Sequence, residues 1–188
     1  MAILQKLKEH FSRDSVTLDL QDIQALILRS RPEPYVGVHA MLHFDEAAGA
    51  RNLLGRLAPH IASADNWSED LDFWIGAALS FEGLKALGVP DAQLKTFPLP
   101  FQQGMAARAE QLRDFGPNAP ENWEDVFKPG NCHLALTIYA VDDDALDKAL
   151  ATARTELDRS SGVTLLGEHR FGAPDLSLIH ISEPTRRR

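Results

Sequence analysis

Apolar residues alternate with polar ones along four stretches of this chain, and between them they recur at helical spacing. In Tyr35–Phe44, Val36, Val38, Ala40, Leu42 and Phe44 fall on one face of an extended segment; Tyr35, His39, Met41 and His43 fall on the other. Phe73–Leu79 is a short apolar run of strand length. In His133–Ala140, Leu134, Leu136 and Ile138 alternate with His133, Thr137 and Tyr139, and Val163–Leu166 predicts a fourth strand. Two helices fit between them. Ala47, Ala50, Leu53, Leu54, Leu57 and Ile61 make one buried stripe, with Asp45 as its expected cap and Pro59 limiting it near Ala58. Ala145, Leu146, Ala149, Leu150, Ala153 and Leu157 make the other, opened by Asp142-Asp143-Asp144 and stopped by Ser160-Ser161-Gly162.

The order is β-α-β, an insert, then β-α-β. It predicts an α+β, ferredoxin-like fold: a four-stranded antiparallel sheet with two main helices on one face and a helical insert. In the insert, Ser80 is placed to cap a short helix that Gly88 and Pro90 end. A longer helix is expected from Gln102 to Arg113, then a loop to Trp123. Lys128-Pro129-Gly130-Asn131 reads as a turn, and Glu168 to Asp175 as a connecting loop. Upstream, residues 1–19 read as a weakly ordered arm, and Arg31-Pro32-Glu33-Pro34 delivers extended backbone to the first strand.

Charge and composition narrow the function classes. The formal net charge is −8, unsuited to phosphate backbones that need Lys/Arg patches, so nucleic acid is not an expected partner. No apolar run approaches the roughly 18 residues of a membrane span, and the N-terminus lacks secretory-signal features. Cys132 is the single cysteine and reads as a packed bystander; a cytoplasmic address is the simple expectation. There is no Gly-rich phosphate loop, CxxC pair or HExxH run. His39 and His43 lie four residues apart along one strand, about 13 Å, while a His–metal bond is only about 2 Å, so polar packing is expected rather than a shared ion. Glu82, Asp91 and Glu110 read as solvated helix-surface acids.

Several fragments in order carry a resemblance. Leu79–Pro90 (LSFEGLKALGVP), Phe97–Trp123 (FPLPFQQGMAARAEQLRDFGPNAPENW) and the entry Asp22-Ile23-Gln24 with Leu26 and Leu28-Arg29 resemble the N-terminal half of a dye-decolorizing (DyP-type) peroxidase. Ala25 stands where that family often has Gly. The resemblance spans about Leu18 to Pro174. It implies a parent that uses haem b and hydrogen peroxide to oxidise organic substrates, with a proximal His, a distal Asp and an Arg. The distal Asp belongs to a Gly-x-x-Asp-Gly motif after the first ferredoxin-like unit. Here Gly172 and Asp175 match part of it, but Leu176 replaces the closing Gly. The stretch reads instead as the loop before the motif. None of the seven histidines matches the proximal position. The resemblance therefore assigns no catalytic, cofactor-binding or metal residue through Asp175 and implies that those groups lie beyond it. This stretch alone is expected to be inactive, without haem, and to carry an apolar sheet face that self-associates into a homo-oligomer or meets the missing half. The alternative is a stand-alone ferredoxin-like small-molecule-binding or interaction domain, which a ligand pocket between sheet and helices would favour.

Leu176–Arg186 resembles the in-frame translation of a sequencing-library adapter, and Arg187 and Arg188 read as further read-through. Residues 176–188 are set aside as a non-native tail, leaving 20–175 as the truncated ferredoxin-like unit.

Overall fold

A computed structural model describes residues 18–29, 35–66, 68 and 70–172. The predicted arm up to residue 17, Arg31-Pro32-Glu33-Pro34, Trp67 and the tail lie outside the described residues. Four strands form one sheet: β1 (Val36–Phe44), β2 (Phe73–Leu79), β3 (Leu134–Ala140) and β4 (Val163–Gly172). The helices in chain order are α1 (Ala25–Leu28), α2 (Ala47–Leu57), α3 (Phe81–Ala86), α4 (Asp91–Leu94), α5 (Leu99–Gln103), α6 (Ala109–Leu112) and α7 (Asp143–Asp158). The sheet order is β2-β3-β1-β4, and every neighbouring pair is antiparallel. This is the split β-α-β arrangement expected from the sequence.

The period-two pattern decides which face is buried. Val38, Ala40, Leu42 and Phe44 of β1 join Leu134, Leu136, Ile138 and Ala140 of β3 in one core. Ala50, Leu53 and Leu57 of α2 and Ala145, Leu146, Ala149, Leu150 and Ala153 of α7 cover them. Asp142 caps α7, its Oδ1 accepting from the Ala145 N–H at 2.8 Å, and Asp143 and Asp144 occupy the positive first turn. Arg56 of α2 donates from Nε to Glu156 Oε2 of α7 at 2.7 Å, tying the helices together. Between sheet and helices there is a void of about 20 Å³, roughly one water's room. A small-molecule pocket at that place, which would have favoured the stand-alone reading, is not found among the described residues.

Three expectations are corrected. Asp45 does not cap α2: Glu46 occupies the cap position without a side-chain bond, and Asp45 Oδ2 accepts from Thr164 Oγ1 at 2.9 Å instead. The long helix from Gln102 to Arg113 is broken into α5, a 3₁₀ turn (Ala106–Arg108) and α6. Gly104 takes φ +70°, which stops α5, and Arg113 ends α6 in the left-handed region at φ 62°. Glu168–Gly172 is not a loop but the second half of β4, joined through an irregularity between Met41 and Leu42 of β1.

The close approach of α2 to the turn before β4 depends on Gly49. A Cβ there would lie 1.7 Å from the Ser161 carbonyl oxygen. Because that atom is backbone, Gly49→Ala is expected to cost about 3 kcal/mol, at the upper end of overpacking penalties, read as a lower urea midpoint with an unchanged m-value.

Candidate functional site

The helix-free face of the sheet and the insert beside it carry the exposed chemistry. Strand register puts Gly37, His39, Met41 and His43 of β1 on this face, with Ala135, Thr137 and Tyr139 of β3 and Gly167, His169 and Phe171 of β4. Part of it is already covered. Over β2, Leu26 lies on Gly76, where a Cβ would come within 2.9 Å of its Cδ1. The Gln24 amide clamps Ala77, donating from Nε2 to its carbonyl and accepting from its N–H, both at 2.8 Å. These bonds satisfy an outer position of an edge strand that would otherwise template aggregation.

The remaining centre is an aromatic array. Tyr35 meets Tyr139 edge-on at 5.6 Å, Tyr139 meets Phe171 at 5.0 Å, and Phe171 stacks on His39 at 4.4 Å. Gly37 makes the array possible, since a Cβ there would meet the Phe171 ring at 2.4 Å and the Ile138 carbonyl at 2.8 Å. His39 Nδ1 lies 2.9 Å from Thr137 Oγ1. Burial first, and the neighbouring His169 second, hold the His39 imidazolium pKa below its ordinary value. The sequence reading placed Tyr35 and Tyr139 here but missed Phe171 and His169, because Glu168–Gly172 was read as loop. Its alternation of Glu168 and Arg170 with His169 and Phe171 was the available signal. Arg170 and Glu168 in fact point to the other face, bonded to Asp147 at 3.0 Å and Arg154 at 2.8 Å.

His39 and His43 do not converge. His43 Nδ1 lies 2.7 Å from the Asn131 carbonyl, and its ring stacks on His133 at 4.2 Å. His133 is 7% exposed, and its Nδ1 accepts the Phe44 N–H at 3.0 Å. That bond requires a lone pair on Nδ1, so His133 is the neutral Nε2–H tautomer. Burial, then the His43 ring, lower its pKa against opposing effects of Gly130, Glu82 and Asp45. The unfolded chain therefore binds protons more readily than the folded one. Stability from His133 is complete above about pH 6.5 and is lost as pH falls through the lowered folded pKa. His39 acts in the same direction. Urea midpoints should fall between pH 7.5 and about 5, and His133→Asn, whose Oδ1 can still accept from Phe44, should flatten that fall. An identical profile in the variant would remove His133 from this role.

The insert runs from Ser80 to His133, with its ends pinched together by the Ser80 N–H donating to the His133 carbonyl at 3.0 Å. Ser80 caps α3 as expected, Oγ accepting from the Gly83 N–H at 3.0 Å. Phe81, Phe97 and Phe101 cluster at 5.9 and 5.3 Å. Between α3, α5 and the returning loop is a cleft of about 880 Å³, whose lining includes Phe81, Phe101, Met105, Trp123, Phe127 and Cys132. Its charged groups are paired: Glu82 with Lys85 at 2.9 Å, Lys128 with Asp125 at 2.6 Å. Asp91 and Glu110 lie exposed on the insert surface. Burial pushes the Cys132 thiol above its ordinary pKa, which suits a packed thiol rather than a nucleophile. Phe127 also meets His169 of the open sheet face, the rings tilted with centroids 5.5 Å apart, so one cleft residue touches that face.

Among the described residues no three His, Cys, Asp or Glu side chains are grouped to hold a metal ion. No helix among them is long and apolar enough to cross a membrane.

Comparison with known proteins places this arrangement. Residues 50–170 match the family model described as the DyP dimeric alpha+beta barrel domain. No curated protein matches the chain. Among solved structures, an ancestral D-type dye decolorizing peroxidase superposes with TM-score 0.70 at 23% identity, over 83% of this chain and 35% of that one. The fungal DyP-type peroxidase from Auricularia auricula-judae gives 0.67 at 21%, over 84% and 34%. DyP2 from Amycolatopsis sp. ATCC 39116 gives 0.65 at 23%, over 80% and 32%. This chain thus spans about a third of the length of these structures, and at such identities they establish the shared fold. With the family model covering more than half of its residues, the chain belongs to the DyP-type peroxidase family, as its N-terminal part.

Proposed function

We propose that residues 20–175 are the N-terminal scaffold unit of a haem peroxidase that uses hydrogen peroxide to oxidise organic substrates, and that the catalytic groups lie in sequence beyond Asp175. Residues 1–19 are an arm and 176–188 a non-native tail in this reading, and the parent is cytoplasmic. The observation that carries it is the family match over residues 50–170 together with coverage of only about a third of the solved relatives.

Haem b is the cofactor the family implies, and the described residues do not fit it by themselves. Haem needs an apolar slot and an axial ligand. The cleft offers apolar room, but no histidine lines it. His39, His43, His60, His133 and His169 all stand outside its lining, and binding iron through Nε2 of His133 would cost its Nδ1 bond with the Phe44 N–H. Cys132 does line the cleft, but burial keeps it a thiol, the form that does not ligate iron. What these residues supply is shape: a rigid sheet, an aromatic face and an apolar cleft against which a second unit can pack.

Recovering the gene past codon 175 tests this. The continuation should contain Gly-x-x-Asp-Gly and a later His, and its product should oxidise organic substrates with peroxide. A continuation lacking both motifs would refute the reading.

A further inference from the structure

We propose that His133, stacked on His43, is a pH-operated latch: neutral, it ties both ends of the insert to the sheet, and in acid it loosens the insert ahead of the sheet and helix layer. This goes beyond the functional reading above and does not depend on it. Three observations carry it.

The first is position. His133 stands where the insert returns to β3. Its N–H donates to the Leu42 carbonyl of β1 at 2.9 Å, its Nδ1 accepts from the Phe44 N–H, and its carbonyl accepts from the Ser80 N–H. α3 lies directly on it: a Cβ on Gly83 would stand 2.1 Å from the His133 carbonyl oxygen. The second is the tautomer. An imidazole protonated on both nitrogens has no lone pair for Phe44, so two donors would face each other at a buried contact. Turning the ring away relieves that clash and loosens the hold of the His133 backbone on Leu42 and Ser80. The third is the asymmetry of the pair. His43 donates from Nδ1 to the Asn131 carbonyl, so a proton added to its Nε2 breaks nothing and meets Asp45 Oδ1 3.8 Å away. The two ring centroids are 4.2 Å apart, so a charge on His43 opposes one on His133. Burial and His43 outweigh the Gly130 carbonyl, Glu82 of α3 and Asp45, which favour the His133 proton. Lys85 pairs with Glu82 at 2.9 Å, and Cys132, next in the chain, is a neutral thiol. The loosened form therefore binds the proton more readily. The latch is closed above about pH 6.5 and weakens as pH falls toward the lowered pKa of the closed form.

Hydrogen exchange of the 188-residue chain, corrected for the intrinsic effect of pH and repeated in low urea, tests this. One proton taken up by an ordinary imidazole of pKa about 6.5 allows at most about a thirtyfold rise in opening between pH 7.5 and 5. Amides of residues 81–87 and 131–134 should lose about ten- to thirtyfold in protection over that range. Their exchange should depend little on urea, while amides of α7 follow the global m-value. His133→Asn keeps an acceptor for Phe44 but takes up no proton, and should cut the loss to below about threefold. Protection at the base of the insert that is indifferent to pH would overturn the latch. So would a urea slope there equal to that of α7, which would mean that the insert opens only with the whole fold, and so would an undiminished loss in His133→Asn. The His133 ring, followed by proton–nitrogen correlation in the unsubstituted chain, gives a reading that needs no variant. It should be the neutral Nε2–H form at pH 7.5 with a midpoint below about pH 6.5; a midpoint at or above that value would overturn the latch.

Discussion

Ile138→Ala is expected to lower the unfolding free energy by about 4 kcal/mol, within the range for deleting most of a buried branched side chain. Ile138 is fully buried on β3, the strand between β1 and β2, and pairs with Val38 on one side and Ile75 on the other. All three belong to the cluster beneath α2 and α7. A cavity there is bounded by a sheet on two sides and cannot close by moving one loop. Domains of ordinary stability have about 5–15 kcal/mol in total, so the loss is a large fraction. Urea unfolding should show the lower midpoint. The contrast is Leu99→Ala on the insert, 62% exposed, which should change stability by less than about 0.5 kcal/mol in the isolated chain. Equal losses at both positions would mean that the insert, not the sheet and helix layer, holds the fold together.

Much of that layer could be read from the chain because single-face burial writes a regular period. The alternation in Val36–Phe44 and Leu134–Ala140 and the stripe from Ala145 to Leu157 each give an unambiguous face, and β2 lies where its apolar run indicated. The insert was harder. Ala106, Ala107 and Ala109 have good helix propensity, yet Gly104 and Arg113 adopt positive φ and divide the segment into single turns. Propensity favours helix at these alanines but cannot report the backbone reversals at Gly104 and Arg113 that bound the single turns. β4 was cut short because its apolar run ends at Leu166; Gly167 sits within the strand, on the open face, opposite Met41. That lost Phe171 and His169, hence the aromatic array. The expectation that the catalytic groups lie beyond Asp175 came only from family resemblance, since period and composition carry no record of chemistry.

The largest functional effect expected is the appearance of peroxidase activity when the chain is extended. The extended protein should turn over at ordinary enzymic rates, on the order of 1–10³ s⁻¹, while the 188-residue chain with added hemin should not exceed free hemin. The reason is ligation. Haem peroxidases hold iron through a proximal side chain, and none of the described histidines, His39, His43, His60, His133 and His169, lines the apolar cleft. Binding iron through Nε2 of His133 would also put its proton on Nδ1 and leave the buried Phe44 N–H without its acceptor. Substituting these five histidines singly by asparagine in the extended protein should leave the haem spectrum unchanged. Titration of hemin into the purified 188-residue chain, followed in the Soret region, tests this most directly. The predicted result is no saturable one-to-one complex with a sharp His-ligated band. A stoichiometric five-coordinate haem complex that turns over hydrogen peroxide would contradict the placement of the catalytic groups beyond Asp175.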